Sequence, residues 1–277
     1  PPVMPAALKI GAFVDAEYIR CNGAYQMRYD VLRRFVARGN RSPSRLNTYV
    51  AFDAERANED AEYASKAYAY QQAARQFGWK VISREVRLST DATGGMTTRT
   101  NAGVPIAVDA LLQAEFLDEV LLVAGDEDLL PLVGALQDRG CRVDLLGFDN
   151  CSPTLQRQVD FFHSGFLIPE LVPVGYEPRN QWGSTGSCVR GLCSKWFPDK
   201  GYGFLSFLRA VSENAWIHDA RLPGSPWASV FCHINEVAGE VTEADLINGD
   251  TCLEFYIHES PQEEGGLVAQ NVRLVQQ

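Results

Sequence analysis

The sequence has no apolar run of 18 residues; its longest apolar stretches, within Leu117 to Gly125 and around Phe204, reach half a membrane span at best. That excludes a spanning helix, which needs about 20 such residues. No charged segment leads into an apolar one at the start, so a soluble, cytoplasmic protein with no membrane partner is expected. A C-x-x-C pair is also missing. Seven cysteines, at 21, 141, 151, 188, 193, 232 and 252, show no spacing suited to zinc and are expected to be buried reduced thiols. Positive charge is in deficit, with 25 Lys and Arg against 35 Asp and Glu and a net charge of −10. Nucleic acid could then be bound through local basic patches or stacking, not through a broad field. What is present is 46% hydrophobic, 22% charged and 10% aromatic over 277 residues. This is a folded globular chain of one or two domains, and disorder, collagen and coiled coil are excluded.

The first 170 residues alternate short apolar runs with longer amphipathic stretches, the rhythm of a βα parallel sheet. Expected strands are Leu8 to Val14, Leu46 to Phe52, Lys80 to Val86, Val120 to Ala124, Arg142 to Leu146 and an edge strand Phe166 to Ile168. Expected helices are Tyr29 to Ala37, Ala57 to Phe77, Val104 to Leu117, Asp128 to Asp138 and Ser152 to Phe162. From Val172 to Ser187 the texture turns to Pro, Gly and Ser, which reads as a linker. Beyond it come five short alternating strands, Cys188 to Phe197, Gly203 to Phe207, Ser229 to Ile234, Thr251 to Ile257 and Val268 to Leu274. They indicate a small β-barrel. The expected organisation is an α/β domain over residues 1–171, a linker over 172–187 and a barrel over 188–277.

In an open parallel sheet, chemistry sits outside the carboxyl ends of the strands. Asp15 follows the first strand, Asp126 and Asp128 follow the fourth, and Asp109 lies in the helix leading into that fourth strand. Acids converging on one crevice repel one another and call for a cation; Mg²⁺ or Mn²⁺, which bind oxygen donors and leave positions open, are the natural ones. Asp126 and Asp128 can also be read as ordinary N-cap and first-turn residues. Asp15 has no such reading, because it opens no obvious helix.

These residues carry a resemblance. Val14-Asp15-Ala16-Glu17, Val108-Asp109-Ala110-Leu111, Gly125-Asp126-Glu127-Asp128-Leu129-Leu130-Pro131-Leu132-Val133 and Ser152-x-x-Leu155 with Asp160 resemble the NYN domain of the LabA-like proteins, which are PIN-like nucleases. The resemblance covers about residues 8–170 and implies a Rossmann-like PIN fold and metal-dependent cleavage of RNA. It makes Asp15, Asp109, Asp126 and Asp128 both catalytic residues and metal ligands, with Asp160 an outer member; Asp109 aligns with either of two family acids, and Glu115 is the fallback for the other. Tyr18 stands where members usually have Asn, and Ala124 where they usually have Ser.

Six arginines, Arg28, Arg33, Arg34, Arg38, Arg41 and Arg45, cluster with only Asp30 against them. Arg34 and Arg38 share a helix face. The strip is either a guide for an RNA backbone or a solvated helix face with salt bridges.

The second domain has seven basic against thirteen acidic side chains over residues 171–277, so charge alone would not bind nucleic acid. Yet Tyr202 and Phe204 alternate on one strand, as do Phe231 and His233 on another, and rings on one barrel face can stack unpaired bases. Lys195 and Lys200 are placed to meet phosphates, while Phe197 reads as core. Lys195-Trp196, Lys200-Gly201-Tyr202-Gly203-Phe204 and Val230-Phe231-Cys232-His233 are similar to the cold-shock domain. That resemblance implies a five-stranded OB-type barrel in which Trp196, Tyr202, Phe204, Phe231 and His233 stack single-stranded RNA or DNA. An insertion of about a dozen residues around Val211 to Trp227 lengthens the loop between the two motifs relative to that pattern. The combined expectation is a divalent-metal-dependent endoribonuclease with a cold-shock domain that binds single-stranded RNA. The rivals are a non-catalytic RNA-binding regulator with a degenerate crevice and a nuclease acting on single-stranded DNA.

Overall fold

The computed structural model describes residues 6–90, 96–99, 102–174, 181–261 and 265–275. The chain divides into two compact units between Ser164 and Gly165. Among the described residues no helix is long and apolar enough to cross a membrane. Among the described residues no two cysteines are joined in a disulfide.

In the first unit the order is β1 (Leu8–Asp15), α1 (Ala16–Cys21), α2 (Tyr29–Val36), β2 (Arg41–Phe52), α3 (Ala54–Glu59), α4 (Ala61–Gln76), β3 (Lys80–Glu85), a hairpin of β4 (Arg87–Thr90) and β5 (Met96–Arg99), α5 (Gly103–Gln113), β6 (Glu119–Val123), α6 (Leu130–Asp138), β7 (Arg142–Gly147), α7 (Pro153–Gln158) and β8 (Phe161–Ser164). The six longer-range strands form one sheet, β3-β2-β1-β6-β7-β8, with every neighbouring pair parallel. All five residues of β6 are buried, as a strand covered on both faces requires. The chain leaves β1 towards β2 and β3, then returns to its other side with β6, so the strand order reverses between β1 and β6. The crevice at such a reversal is where open α/β sheets take ligands.

Three local differences from the sequence reading have physical causes. The expected helix over 57–77 is two helices, because Asp60 adopts an extended conformation and turns its side chain to accept from the Tyr63 amide. The edge strand is Phe161–Ser164 rather than 166–168, since α7 stops at Gln158; Gly165–Leu167 is a 3-10 turn. Asp15 does open a helix, α1, whose six residues are too few to leave a periodic signal.

Near the amino ends of the strands the sheet is closed by charge. Arg38, 6% exposed, reaches Asp144 at 2.9 Å and Glu119 at 3.5 Å; Arg41 holds Glu119 at 2.7 Å and Arg142 holds Asp144 at 2.8 Å. The His163 Nε2 lies 3.0 Å from Asp144 Oδ2. Burial pulls the Arg38 guanidinium down to about 10, with Arg41 adding to it. Burial also holds the His163 imidazole below its ordinary value, against the pull of Asp144. Burial alone would raise the Asp144 carboxyl, but His163 and Arg142 outweigh it and keep it low. The unfolded chain therefore takes up a proton at His163 near pH 6.5 that the folded chain refuses until lower pH, and stability falls as pH drops through that window. Asp144 adds a further loss only below the ordinary carboxylate range. The melting temperature of this unit is expected to fall between about pH 7.5 and about pH 5, and His163→Gln is expected to flatten that slope in calorimetry.

In the second unit β9 (Cys188–Phe197), β10 (Tyr202–Leu208), β11 (Trp227–His233), a short α8 (Glu243–Asn248), β12 (Leu253–Glu259) and β13 (Leu267–Leu274) follow in order. The strands close a barrel, β10-β11-β13-β12-β9, antiparallel except where β11 meets β13. Leu205, Phe207, Val230, Phe255, Ile257 and Val272 fill it. Residues 181–187 are packed on this barrel rather than extended between units: Trp182 donates to the Leu208 carbonyl at 2.8 Å, and Gly186 and Ser187 exchange backbone bonds with Ile257. The buried Arg190 joins Glu254 and also donates to the carbonyls of Val172 and Pro173, tying that stretch to β9. Positions 175–180 of the expected linker lie outside the described residues. The inserted loop between β10 and β11 is anchored by Trp227, which donates to the Ala215 carbonyl at 2.8 Å and leaves Trp216 exposed.

Candidate functional site

At the strand reversal, Asp15 ends β1 and Asp126 lies three residues beyond β6, the two strands running side by side with Val14 opposite Val123. Asp15 is the N-cap of α1. Its Oδ1 accepts from the Glu17 and Tyr18 amides at 3.0 and 3.1 Å. Burial raises the Asp15 carboxyl above its ordinary value, against those amides, and Glu17 and Asp126 raise it further. Burial is the larger effect and the charge of Asp126 the smallest. Asp126 caps the 3-10 turn Glu127–Leu129, its Oδ1 accepting from the Asp128 amide at 3.0 Å. The second oxygen of each carboxylate takes no hydrogen bond from a described residue.

Asp109 sits on α5 and is held from the sheet: the Tyr49 hydroxyl, on the β2 residue paired with Asp15, donates to Asp109 Oδ2 at 2.6 Å. The Asn47 amide donates in turn to the Tyr49 oxygen at 3.3 Å. Sequence reasoning missed Tyr49, which looks like any strand aromatic. Asp128 is exposed in the 3-10 turn. Glu127 is fixed by the Ser152 hydroxyl at 2.8 Å. Gly125 is needed because a Cβ there would stand 2.2 Å from the Tyr18 ring, whose hydroxyl accepts from the Phe148 amide at 2.8 Å. Tyr18 is thus a packed wall of the crevice.

Two expected members are elsewhere. Asp160 accepts from the Val143 amide at 2.8 Å, near the amino end of β7 and hence at the opposite end of the sheet. Glu115 lies exposed in the turn leading to the amino end of β6. The strip of arginines dissolves for the same reason: Arg38 is buried among carboxylates, Arg41 is bound to Glu119, Arg28 and Arg34 pair with Asp30, Arg33 donates to the Phe77 carbonyl and Arg45 to Gln113. Arg38 cannot meet a phosphate, and Arg34 alone of the proposed pair remains on the surface.

Among the described residues, Asp15, Asp109, Asp126 and Asp128 form no ion pair with Lys, Arg or His. Nor do His, Cys, Asp and Glu side chains gather there in a set of three that could hold a metal ion. The donor chemistry still fits a hard divalent cation at the Asp15–Asp126 pair, where all donors are carboxylate oxygens and the partners repel. Asp109 is engaged by Tyr49 and Asp128 is exposed two residues after Asp126, and among the described residues neither joins the pair in a set of three.

On the barrel, β10 pairs Tyr202 with both His233 and Phe197, and Phe204 with both Phe231 and Lys195. In-register partners share a face, so these side chains form one outward platform. Ring centroids are 5.3 Å apart for Phe197–Tyr202, 5.6 Å for Tyr202–Phe231 and 6.0 Å for Phe204–Phe231. Lys195 and Lys200 place their ammonium groups 4.8 and 5.5 Å from the Phe197 ring. His233 is exposed. Two expectations change. A bulge between Phe204 and Leu205 turns Phe197 outward, so it joins the platform instead of the core. The same bulge aligns Trp196 with the inward Gly203, and the half-buried indole packs on the barrel core. Gly203 must be glycine, since a Cβ would meet the Lys195 carbonyl and the indole at 2.4 Å.

The model of the NYN domain family matches residues 9–168. No curated protein gives a significant match. Among solved structures, a protein of unknown function from Vibrio parahaemolyticus is similar at 22% identity and a TM-score of 0.48, over 58% of this chain and 94% of its own. The manganese-loaded TRAP protein of Plasmodium vivax is similar at 11% identity and a TM-score of 0.31, over 84% of this chain and 95% of its own.

Proposed function

The chain belongs to the NYN domain family, whose members are PIN-like nucleases, and we propose that it is a divalent-metal-dependent endoribonuclease whose C-terminal barrel acts as a cold-shock domain and holds single-stranded RNA. The observation that carries the reading is the unmatched Asp15–Asp126 pair at the strand reversal of a sheet whose other end has its charges paired. Asp15 and Asp126 would hold a Mg²⁺ or Mn²⁺ ion, with Asp109 and Asp128 beside them. Such an ion supplies Lewis-acid polarisation of phosphodiester oxygens. The chain's own residues do the positioning. The Glu17 and Tyr18 amides orient Asp15, the Asp128 amide orients Asp126, and Tyr49 fixes Asp109, so the carboxylates are preorganised and need no rearrangement when charge develops. Tyr202, Phe204, Phe231 and Phe197 stack bases irrespective of net charge, while Lys195 and Lys200 meet the backbone. One chain carrying both sites raises the local concentration of RNA at the acids.

The direct test is cleavage of a labelled, unstructured RNA and its DNA counterpart with Mg²⁺, Mn²⁺ or EDTA. Internal cutting of RNA that needs the metal and spares DNA is expected. Preferential DNA cutting would make this a nuclease for single-stranded DNA, and binding without cutting would make it an RNA-binding regulator. For the barrel, stacking is worth ~1–3 kcal/mol per base, so Phe204→Ala with Phe231→Ala is expected to weaken RNA affinity about ten-fold or more. Fluorescence anisotropy measures this, with circular dichroism confirming the fold; unchanged affinity would remove the platform from the mechanism.

A further inference from the structure

A cavity of about 450 Å³ opens on the first unit between α1, the end of β2 and the helices α3 and α4. It begins one residue past Asp15, at Ala16 and Glu17, and so adjoins that acid. Three phenol rings, Tyr25, Tyr63 and Tyr70, and three cations, Arg20, Arg56 and Lys66, stand on its wall. Two of the rings are fixed by hydrogen bonds: Tyr70 to the Tyr29 hydroxyl at 2.8 Å, and Tyr63, which accepts from the Asp53 amide at 3.0 Å. The Arg56 guanidinium lies 4.4 Å over the Tyr63 ring. Tyr25 is 65% exposed.

The wall sets two carboxylates, Glu17 and Asp53, against its three cations. Arg20 is paired with Glu17, Lys66 with Glu62 and Arg56 with Asp60. Such exposed pairs are weak enough to exchange a carboxylate for a phosphate. Flat rings, exchangeable cations and acceptors that suit ribose hydroxyls or base amines together select a ligand with an aromatic base and a phosphate. The volume lies within the range of small-ligand sites.

We propose that this cavity is a subsite for one nucleotide of the substrate strand, its base against the tyrosines and its phosphate at Arg56 and Lys66, so that the held nucleotide fixes which phosphodiester reaches Asp15 and Asp126. The proposal rests on the nuclease reading for its role but not for its ligand, and the test separates the two. In calorimetric titrations of the full chain, AMP and UMP are expected to bind and to compete with a short RNA, whereas inorganic phosphate and free nucleosides bind more weakly. Tyr25→Ala and Lys66→Gln, both at exposed positions, are each expected to weaken nucleotide binding by about five-fold or more. In cleavage they are expected to raise KM for the RNA by a similar factor with kcat within about two-fold, the mark of lost ground-state binding. Nucleotides that fail to bind, or that bind both variants as well as wild type, would overturn the subsite. Binding that competes with RNA and is lost in the variants, in a protein that cuts nothing, would uphold the subsite and sink the nuclease. Binding of free nucleotides without competition by RNA would assign the cavity to a soluble ligand and overturn its place on the strand.

Discussion

Asp126→Asn is expected to lower the cleavage rate of unstructured RNA by about 10²–10³-fold or more while RNA affinity stays within about two-fold. The substitution keeps size and the amide-accepting oxygen, so the bond from the Asp128 amide that caps the 3-10 turn survives. What it removes is one negative charge beside Asp15, whose carboxyl is raised first by burial and only further by Glu17 and Asp126. Removing that charge lessens the upward push on the Asp15 carboxyl while burial persists, and the folded protein is expected to be no less stable. Undiminished stability with a loss of cleavage is the signature of a residue kept for function rather than for the fold. If Asp126→Asn instead destabilised the unit and left cleavage intact, Asp126 would be a helix-cap residue and the chemistry would lie elsewhere. Calorimetry and single-turnover cleavage on the same preparations distinguish these outcomes.

The parallel sheet was legible because its central strands are near-continuous apolar runs, and Val120-Leu121-Leu122-Val123 is buried throughout. The acids after β1 and β6 were legible for the same reason: once the strands are placed, the residues at their carboxyl ends follow. The partners of those acids were not. Tyr49 meets Asp109 across 60 positions, and Arg38 meets Asp144 across 106, separations over which no local pattern carries information. The arginines read as a surface strip because sequence shows the helix face but not the carboxylates brought to it by other strands. On the barrel, a period of two placed Tyr202, Phe204, Phe231 and His233 together, but a one-residue bulge in β9 exchanged the roles of Trp196 and Phe197. A bulge reverses every side chain beyond it, and nothing in Cys193-Ser194-Lys195 announces one.

Arg38→Met is expected to cost about 3–5 kcal/mol, which for a unit of this size lowers its melting temperature by about 6–20 °C. The methionine fills similar volume and can keep contact with the Phe35 ring, over which the guanidinium now lies at 4.1 Å. It cannot answer the buried Asp144 and Glu119, whose remaining partners are Arg142, Arg41 and His163. Most of the cost is thus the weakened compensation of these two buried carboxylates, not the lost packing of the arginine. Adding Asp144→Asn to Arg38→Met is expected to recover part of the loss, because Glu119 keeps Arg41 while Arg142, whose side chain is half exposed, is hydrated in place of its pairing. Arg38→Lys keeps the charge but not the fork that reaches two carboxylates at once, and an intermediate cost is expected. The same variant decides between the two readings of the arginine cluster. An arginine that guides RNA would lose affinity on substitution and leave the melting temperature alone; one that closes the amino end of the sheet would do the reverse. Wild-type stability with weakened RNA binding in Arg38→Met would return Arg38 to the surface and overturn the buried network.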